Sequence, residues 1–518
     1  MLKSGARLTV LTLGSRVLGL VREMTKAAFL GTSALSDAFT IAFFIPNLLR
    51  RLFAENSVSV AFIPTFRGYL ETETKETIRE FLSSMFTVVT LCTSLTVVLG
   101  IAISPLIVPL FGIGTDETVL LTRIMFPYLA IISVAAFFQG ILNGVRVFSP
   151  SGFTPILFNL IVIGCTWAFA GMSGNPARSM ALGVIAGGTV QAAFQLPFVL
   201  GKGFRFSLVA PARAFSNPGT KTVLRLIGPT VIGMAAYQIN DLVSSILASN
   251  AGTGIVSSLQ YSLRLQELIL GVFAVSIGTV ILPDLSAHAA REDWDGYNAL
   301  LARAINTIAL VTIPITAFFL LNGEGLIILL FKTKNFSGES VRLTLDAFTW
   351  HICGLYFIAL NRVVSPAFYA RRDTKSPTWA GIASFGCNIA LALALVGPMR
   401  GGGIALALSV ASAVNTTLLF AFLGKTGKVR VRPLVASTAR YALKMAAFSA
   451  LAALPAWKLA QLVRSPLEGK GRIIAQGLPI ACAFAIFAAC GLALLALFRD
   501  PILAGLIGRF RRRPQART

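Results

Sequence analysis

Charged residues are scarce: Asp, Glu, Lys and Arg make up 13% of the 518 residues, about half the share of an ordinary soluble protein. A soluble enzyme this apolar would expose surface that nothing covers, so that class is excluded. Histidine is almost absent, with His288 and His351 alone, and two isolated imidazoles cannot supply a metal site. The six cysteines lie singly in apolar stretches without CxxC spacing and read as packing residues rather than disulfides or ligands. No P-loop or GxSxG elbow occurs, and no ATP hydrolysis is expected within this chain. Arg16 and Arg22 interrupt the first apolar segment, so no cleavable signal peptide is expected.

Hydrophobic residues reach 55% and mean hydropathy is +0.77. Long continuous apolar runs, rather than alternation at every second residue, exclude a β-barrel. At about 20 residues per span, the chain is expected to form about 14 transmembrane helices. Turn chemistry separates them at Gly31-Thr32-Ser33, Gly112-Ile113-Gly114, Ser173-Gly174-Asn175-Pro176 and Gly397-Pro398. The cations, 45 against 21 acids, favour both termini on the cytoplasmic side, with roughly 26 Lys and Arg inside and roughly 9 outside. Two outer loops offend, around Lys332/Lys334 and Lys458/Lys470. The basic tail reads as a lipid-surface anchor rather than a nucleic-acid patch.

Four matches recur in order at an offset of about 214 to 227 residues. Gly14-Ser-Arg-Val-Leu-Gly19 returns as Gly228-Pro-Thr-Val-Ile-Gly233, and Ser57/Pro64 as Ser276/Pro283. Leu106–Phe111 returns as Leu326–Phe331, and Arg146 before Ser149-Pro150 as Arg372 before Ser376-Pro377. Six spans per copy make the copies parallel. The expected architecture is an all-α polytopic membrane protein of two parallel six-helix lobes, residues 1–213 and 214–430, around a central cavity. Two further helices occupy 431–500, before a basic tail at 501–518.

Charges at a helix centre cost about 2.5 to 3.5 kcal/mol each on insertion scales. The first two helices nevertheless hold Arg16, Arg22, Lys26, Asp37, Arg50, Arg51 and Glu55. Asp37, Arg51 and Glu55 share one face, and Pro46-Asn47 interrupts the same helix. In the second half Gln260, Arg264, Glu267 and Gly271 form a stripe, with Ser257 one turn before it. Arginine outnumbers carboxylate in these stripes, which suits an anion of phosphate type bound by a planar fork. Structural ion pairs at helix ends, with Arg50 and Arg51 flanking the membrane, are the plainer alternative. Glu55 and Glu267 are expected to orient arginines one turn away.

Ser15-Arg16-Val17-Leu18-Gly19 with Arg22, Asp37-Ala38-Phe39, Pro46-Asn47-Leu48-Leu49-Arg50-Arg51 and Phe53-Ala54-Glu55 resemble the MurJ (MviN) lipid II flippases of the MOP exporter superfamily. Arg264 with Glu267, Gly278–Pro283 and Pro366–Arg371 continue the resemblance along essentially the whole chain. It implies movement of undecaprenyl-pyrophosphate-linked peptidoglycan precursor from the inner to the outer leaflet of the bacterial cytoplasmic membrane, by alternating access. It further implies that Arg16, Arg22, Arg50 and Arg264 meet the pyrophosphate and that Asp37, Asn47, Glu55, Ser257 and Glu267 are functional. The two added helices would form a groove for the lipid tail. Implied partners are lipid II, membrane lipids and the machinery of cell-wall synthesis. No cofactor or metal is expected. The resemblance implies sodium binding through carboxylates in some members; this chain has Asp241 and Asn388 but Ser244 and Ala392 where those acids would stand, which argues against sodium coupling. Membrane potential is the expected aid in resetting a net-positive cavity. The alternatives are a cation-coupled multidrug or lipid-linked oligosaccharide exporter on the same fold, and a transferase acting on polyprenyl-phosphate sugars.

Overall fold

A computed structural model describes residues 2–52, 58–112, 115–425, 427, 429–467 and 469–504, with side chains at 2–9, 58–59, 173, 229–230, 232–237 and 272–280 left aside. Among the described residues there are seventeen α-helices, short 3-10 and π turns, and no strand. They run α1 (Leu2–Leu30), α2 (Ala34–Arg50), α3 (Ile63–Thr72), α4 (Lys75–Ile107), α5 (Asp116–Met125), α6 (Tyr128–Gly144), α7 (Ser149–Ser173), α8 (Pro176–Gly201) and α9 (Pro211–Ser216). The second half continues with α10 (Pro218–Asn250), α11 (Ile255–Ala290), α12 (Trp294–Phe331), α13 (Gly338–Cys353), α14 (Leu355–Tyr369), α15 (Lys375–Gly424), α16 (Val431–Arg464) and α17 (Leu478–Leu497).

Among the described residues eight helices are long and apolar enough to cross a membrane, or nine if α13 and α14, bent by 42° at Gly354, count as one span. This makes the chain a multi-pass membrane protein, though the count does not confirm fourteen. Local causes account for part of the difference. Helix α1 carries Arg16, Arg22, Glu23 and Lys26 within its length, and α2 has 17 residues. Helix α15 contains a break, with Arg400 at φ 46° and ψ −124°, just after the Gly397-Pro398 pair that the sequence marks as a turn.

The chain packs as two compact units, one running to Ser257 and including Thr333–Phe336, the other comprising Ser258–Lys332 and the chain from Ser337 onward. In the first, Phe39, Met125, Tyr128, Phe158, Met180 and Val184 bring α2, α5, α6, α7 and α8 into one core. A second core gathers Phe62, Phe66, Phe81 and Phe137 under α3 and α4. Pro105 removes the N–H that would pair with the Ile101 carbonyl. The Ser104 hydroxyl at 2.8 Å and Arg123 Nε at 3.3 Å donate to that carbonyl instead. An arginine is thereby held where hydrocarbon would otherwise meet a bare C=O.

In the second unit, small residues at helical spacing (Ala452, Ala456 and Ala460) let α16 approach α12 and α17 closely, around Phe318 and Phe487. The turns expected at Gly31, Gly112 and Gly174 are present, each with φ between 58° and 66°. The Arg146/Arg372 match also has a structural meaning. Both residues stand at φ 61° just past a helix end. In each case the following N–H reaches back five residues, Val147 to the Leu142 carbonyl and Asp373 to that of Phe368. This is a Schellman ending with arginine in the place glycine usually fills.

Asp500, buried just past α17, accepts from Lys444 Nζ at 2.8 Å, from Tyr441 at 3.2 Å and from the N–H groups of Ile502 and Leu503. Burial pushes its pKa up, but the bonds from Lys444 and the two amides outweigh this and hold it below the usual carboxylate range. A depressed folded pKa stabilises above the unfolded value and loses that stability as pH falls through the folded one. Asp500→Asn is therefore expected to cost about 2 kcal/mol at neutral pH. The difference from wild type should vanish in acid below the ordinary carboxylate range. Thermal melting of the purified protein across pH checks both halves of the statement.

Candidate substrate-binding site

The charges of α1 form a chain of contacts rather than isolated groups. Arg22 donates to Glu23 Oε1 at 2.9 Å and lies over the Phe158 ring, 5.7 Å from its centroid. Lys26 Nζ is 3.7 Å from Glu23 Oε2 and donates to the Thr40 hydroxyl of α2 at 2.9 Å. Glu23 and Lys26 are each 4% exposed, whereas the Arg22 side chain keeps 20%. The buried pair thus neutralises itself and presents the Arg22 guanidinium as the reachable member. Arg16 lies half-buried two turns before Glu23 on the same helical face. Lys26 was visible in the sequence as a misplaced charge. Glu23 is signalled there only by its i,i+3 spacing to Lys26.

Asp37 sits in the first turn of α2 and is fully buried. Its two oxygens accept the N–H groups of Gly254, at 2.5 Å, and Ser257, at 2.8 Å. The carboxylate therefore caps the orphan amides that begin α11. Ser257 is equally buried, and its hydroxyl turns back to the Gly254 carbonyl at 3.3 Å.

At the other end of α2, Arg50 Nε donates to Asn47 Oδ1 at 2.9 Å. Arg51 reaches Asp241 Oδ2 of α10 at 3.3 Å, and the two side chains remain 40% and 31% exposed. Glu55, expected to orient Arg51, lies outside the described residues. Asp241 is the carboxylate facing Arg51.

In the second unit Arg264 and Glu267 pair at 3.3 Å, as the one-turn spacing predicted. Gln260 and Glu267 are exposed and Arg264 is half-buried, while Tyr261, Ser262, Leu265 and Gln266 are buried. The polar stripe is thus the open face of α11.

His351 is buried and shares a 2.6 Å hydrogen bond with the Ser262 hydroxyl, the satisfied core histidine expected. His288 closes α11 against Asp293 at 2.8 Å. Of the six thiols, all free, Cys92 and Cys353 are exposed rather than packed. Among the described residues no three His, Cys, Asp or Glu side chains are grouped to hold a metal ion.

Among the described residues this is a strandless bundle of apolar helices with buried and half-buried cations on its first two members, the build of a polytopic membrane protein. Its fold is that of the MOP superfamily. A multidrug transporter of that superfamily in an inward-facing conformation superposes with TM-score 0.61 at 17% identity, over 82% of this chain and 94% of that one. A structure titled "Lipid II flippase MurJ, inward closed conformation" gives TM-score 0.77 at 24% identity, over 96% and 99% of the two chains. The family model described as "Lipid II flippase MurJ" matches residues 26–465. The "Probable lipid II flippase MurJ" of Treponema pallidum (strain Nichols) is 45% identical over 506 residues, 96% of either chain. That of Vibrio cholerae is 33% identical over 434 residues, covering 81% of this chain and 82% of its own. The chain belongs to the MurJ family.

Proposed function

We propose that this protein is a lipid II flippase, carrying the polyprenyl-pyrophosphate-linked cell-wall precursor from the inner to the outer leaflet of the bacterial cytoplasmic membrane. The observation that carries the reading is the 45% identity to a MurJ relative along 96% of both chains. The chemistry agrees with it. A diphosphate head cannot cross hydrocarbon unaided, because burying a bare charge is prohibitive. The open faces of α1 and α2, with Arg16, Arg22, Arg50 and Arg51, and of α11, with Arg264, supply guanidinium forks for its oxygens.

Glu23, Asp241 and Glu267 act as orienting carboxylates, while Asp37 and Ser257 position the start of α11. Residues 1–213 and 214–430 form the two repeated lobes, moving by alternating access. Helices α16 and α17 hold the prenyl tail. The protein is a transporter and not an enzyme, its termini face the cytoplasm, and membrane potential resets the cationic face. A multidrug exporter would favour acids and aromatics over clustered arginines.

The test is expression in a strain depleted of its own flippase, with labelled lipid II followed at the outer leaflet. Growth is expected to return together with outward lipid II. Growth without lipid II movement, or neither, rejects the reading.

A further inference from the structure

A second cationic centre lies within the second unit, where α12 and α16 end and α17 begins. Arg464 Nη2 and Gln476 Oε1 lie 3.2 Å and 3.4 Å from the point a Cβ on Gly325 would occupy. Both polar ends thus press on the α12 backbone at a position glycine leaves open. Arg472, on the turn leading into α17, donates to the main-chain oxygen of Lys332.

Arg464 Nε and Gln476 Oε1 are buried and have no hydrogen-bond partner. Among the described residues neither Arg464 nor Arg472 has a carboxylate partner. A buried donor left unmade costs about 1 to 3 kcal/mol, and more when it is charged. The backbone at Ile473–Gly477 is a π turn, a form concentrated at functional sites. Exposed Leu462, Ile473, Ile474 and Leu478 surround the arginines with apolar surface. Lys332 and Lys470 belong to the two loops that carry more cation than the expected orientation accounts for.

We propose that Arg464, Arg472 and Gln476 form a binding site for the phosphate of an anionic phospholipid, separate from the arginines assigned to the transported head group. The Arg464 guanidinium, turned outward so that its covered Nε meets the ligand, and the Arg472 fork donate to the phosphate oxygens. The Gln476 amide, turned over, adds its N–H2, and the acyl chains lie along Leu462, Ile473, Ile474 and Leu478. The apolar rim favours a lipid over a free anion.

Native mass spectrometry of the full-length protein in detergent, titrated with dioleoylphosphatidylglycerol, tests this. Dioleoylglycerol serves as the phosphate-free probe and inorganic phosphate as competitor. Wild type is expected to retain phosphatidylglycerol and not dioleoylglycerol. Arg464→Gln and Arg472→Gln should each weaken retention roughly tenfold, the loss of one charge-assisted bond. Arg213→Gln, at an exposed pair with Glu80, should leave retention unchanged. If Arg464→Gln does not fold, Arg472→Gln and Gln476→Leu decide. Unchanged retention in the folded variants, or complete displacement by millimolar inorganic phosphate, overturns the proposal.

Discussion

Arg22→Ala and Arg264→Ala are each expected to abolish growth of a flippase-depleted strain while leaving the amount of membrane-inserted protein normal. Each substitution removes a guanidinium held ready by a carboxylate, Glu23 at 2.9 Å for Arg22 and Glu267 at 3.3 Å for Arg264. Losing one charge-assisted bond to a diphosphate costs about 1.5 to 3 kcal/mol, on the order of 10- to 100-fold in affinity. Lysine keeps the charge but not the two-pronged geometry. Arg22→Lys should therefore fall between wild type and Arg22→Ala in lipid II movement. The readouts are plating on depletion medium and immunoblotting of membranes. Full growth with both alanine variants would remove the pyrophosphate role from these residues.

Asp37→Ala is expected to act through stability first. It strips the acceptor from two buried amides, those of Gly254 and Ser257. At about 1 to 3 kcal/mol for each unmade bond, the loss is of the order of the whole margin of many folds. Asp37→Asn retains one acceptor oxygen and should recover roughly half of the loss. Thermal melting in detergent orders the three proteins as wild type, Asn, Ala. Equal melting temperatures for wild type and Asp37→Ala would mean that the cap contributes nothing.

The sequence made the helical class legible because it is a statement about periodicity and the length of apolar runs. Left-handed turns at Gly31, Gly112 and Gly174 could be read locally, since positive φ favours glycine. Arg146 and Arg372 were visible only as a repeat match. Nothing in an arginine announces a left-handed ending, and the equal φ supplies the reason. The Arg264–Glu267 pair was legible for the same local reason, one turn of helix. Long-range partners were not. Asp37 meets amides 217 and 220 residues away, and Arg51 meets Asp241 across 190, separations at which helical spacing carries no information. Glu23 is not legible either, because a carboxylate beside an arginine looks like a surface pair until its burial is known.

Residues Thr333–Phe336 belong to the first packing unit although the chain on either side of them belongs to the second. The Asn335 amide donates to the Ala28 carbonyl at 2.8 Å, and its own carbonyl stands where a Cβ on Gly31 would have to go. The first packing unit is thus stitched from two separate stretches of sequence. A gene split at Ser257 would yield an amino-terminal fragment with the end of α1 missing its closing piece, so two half-genes placed in one cell should not be expected to behave as two finished modules.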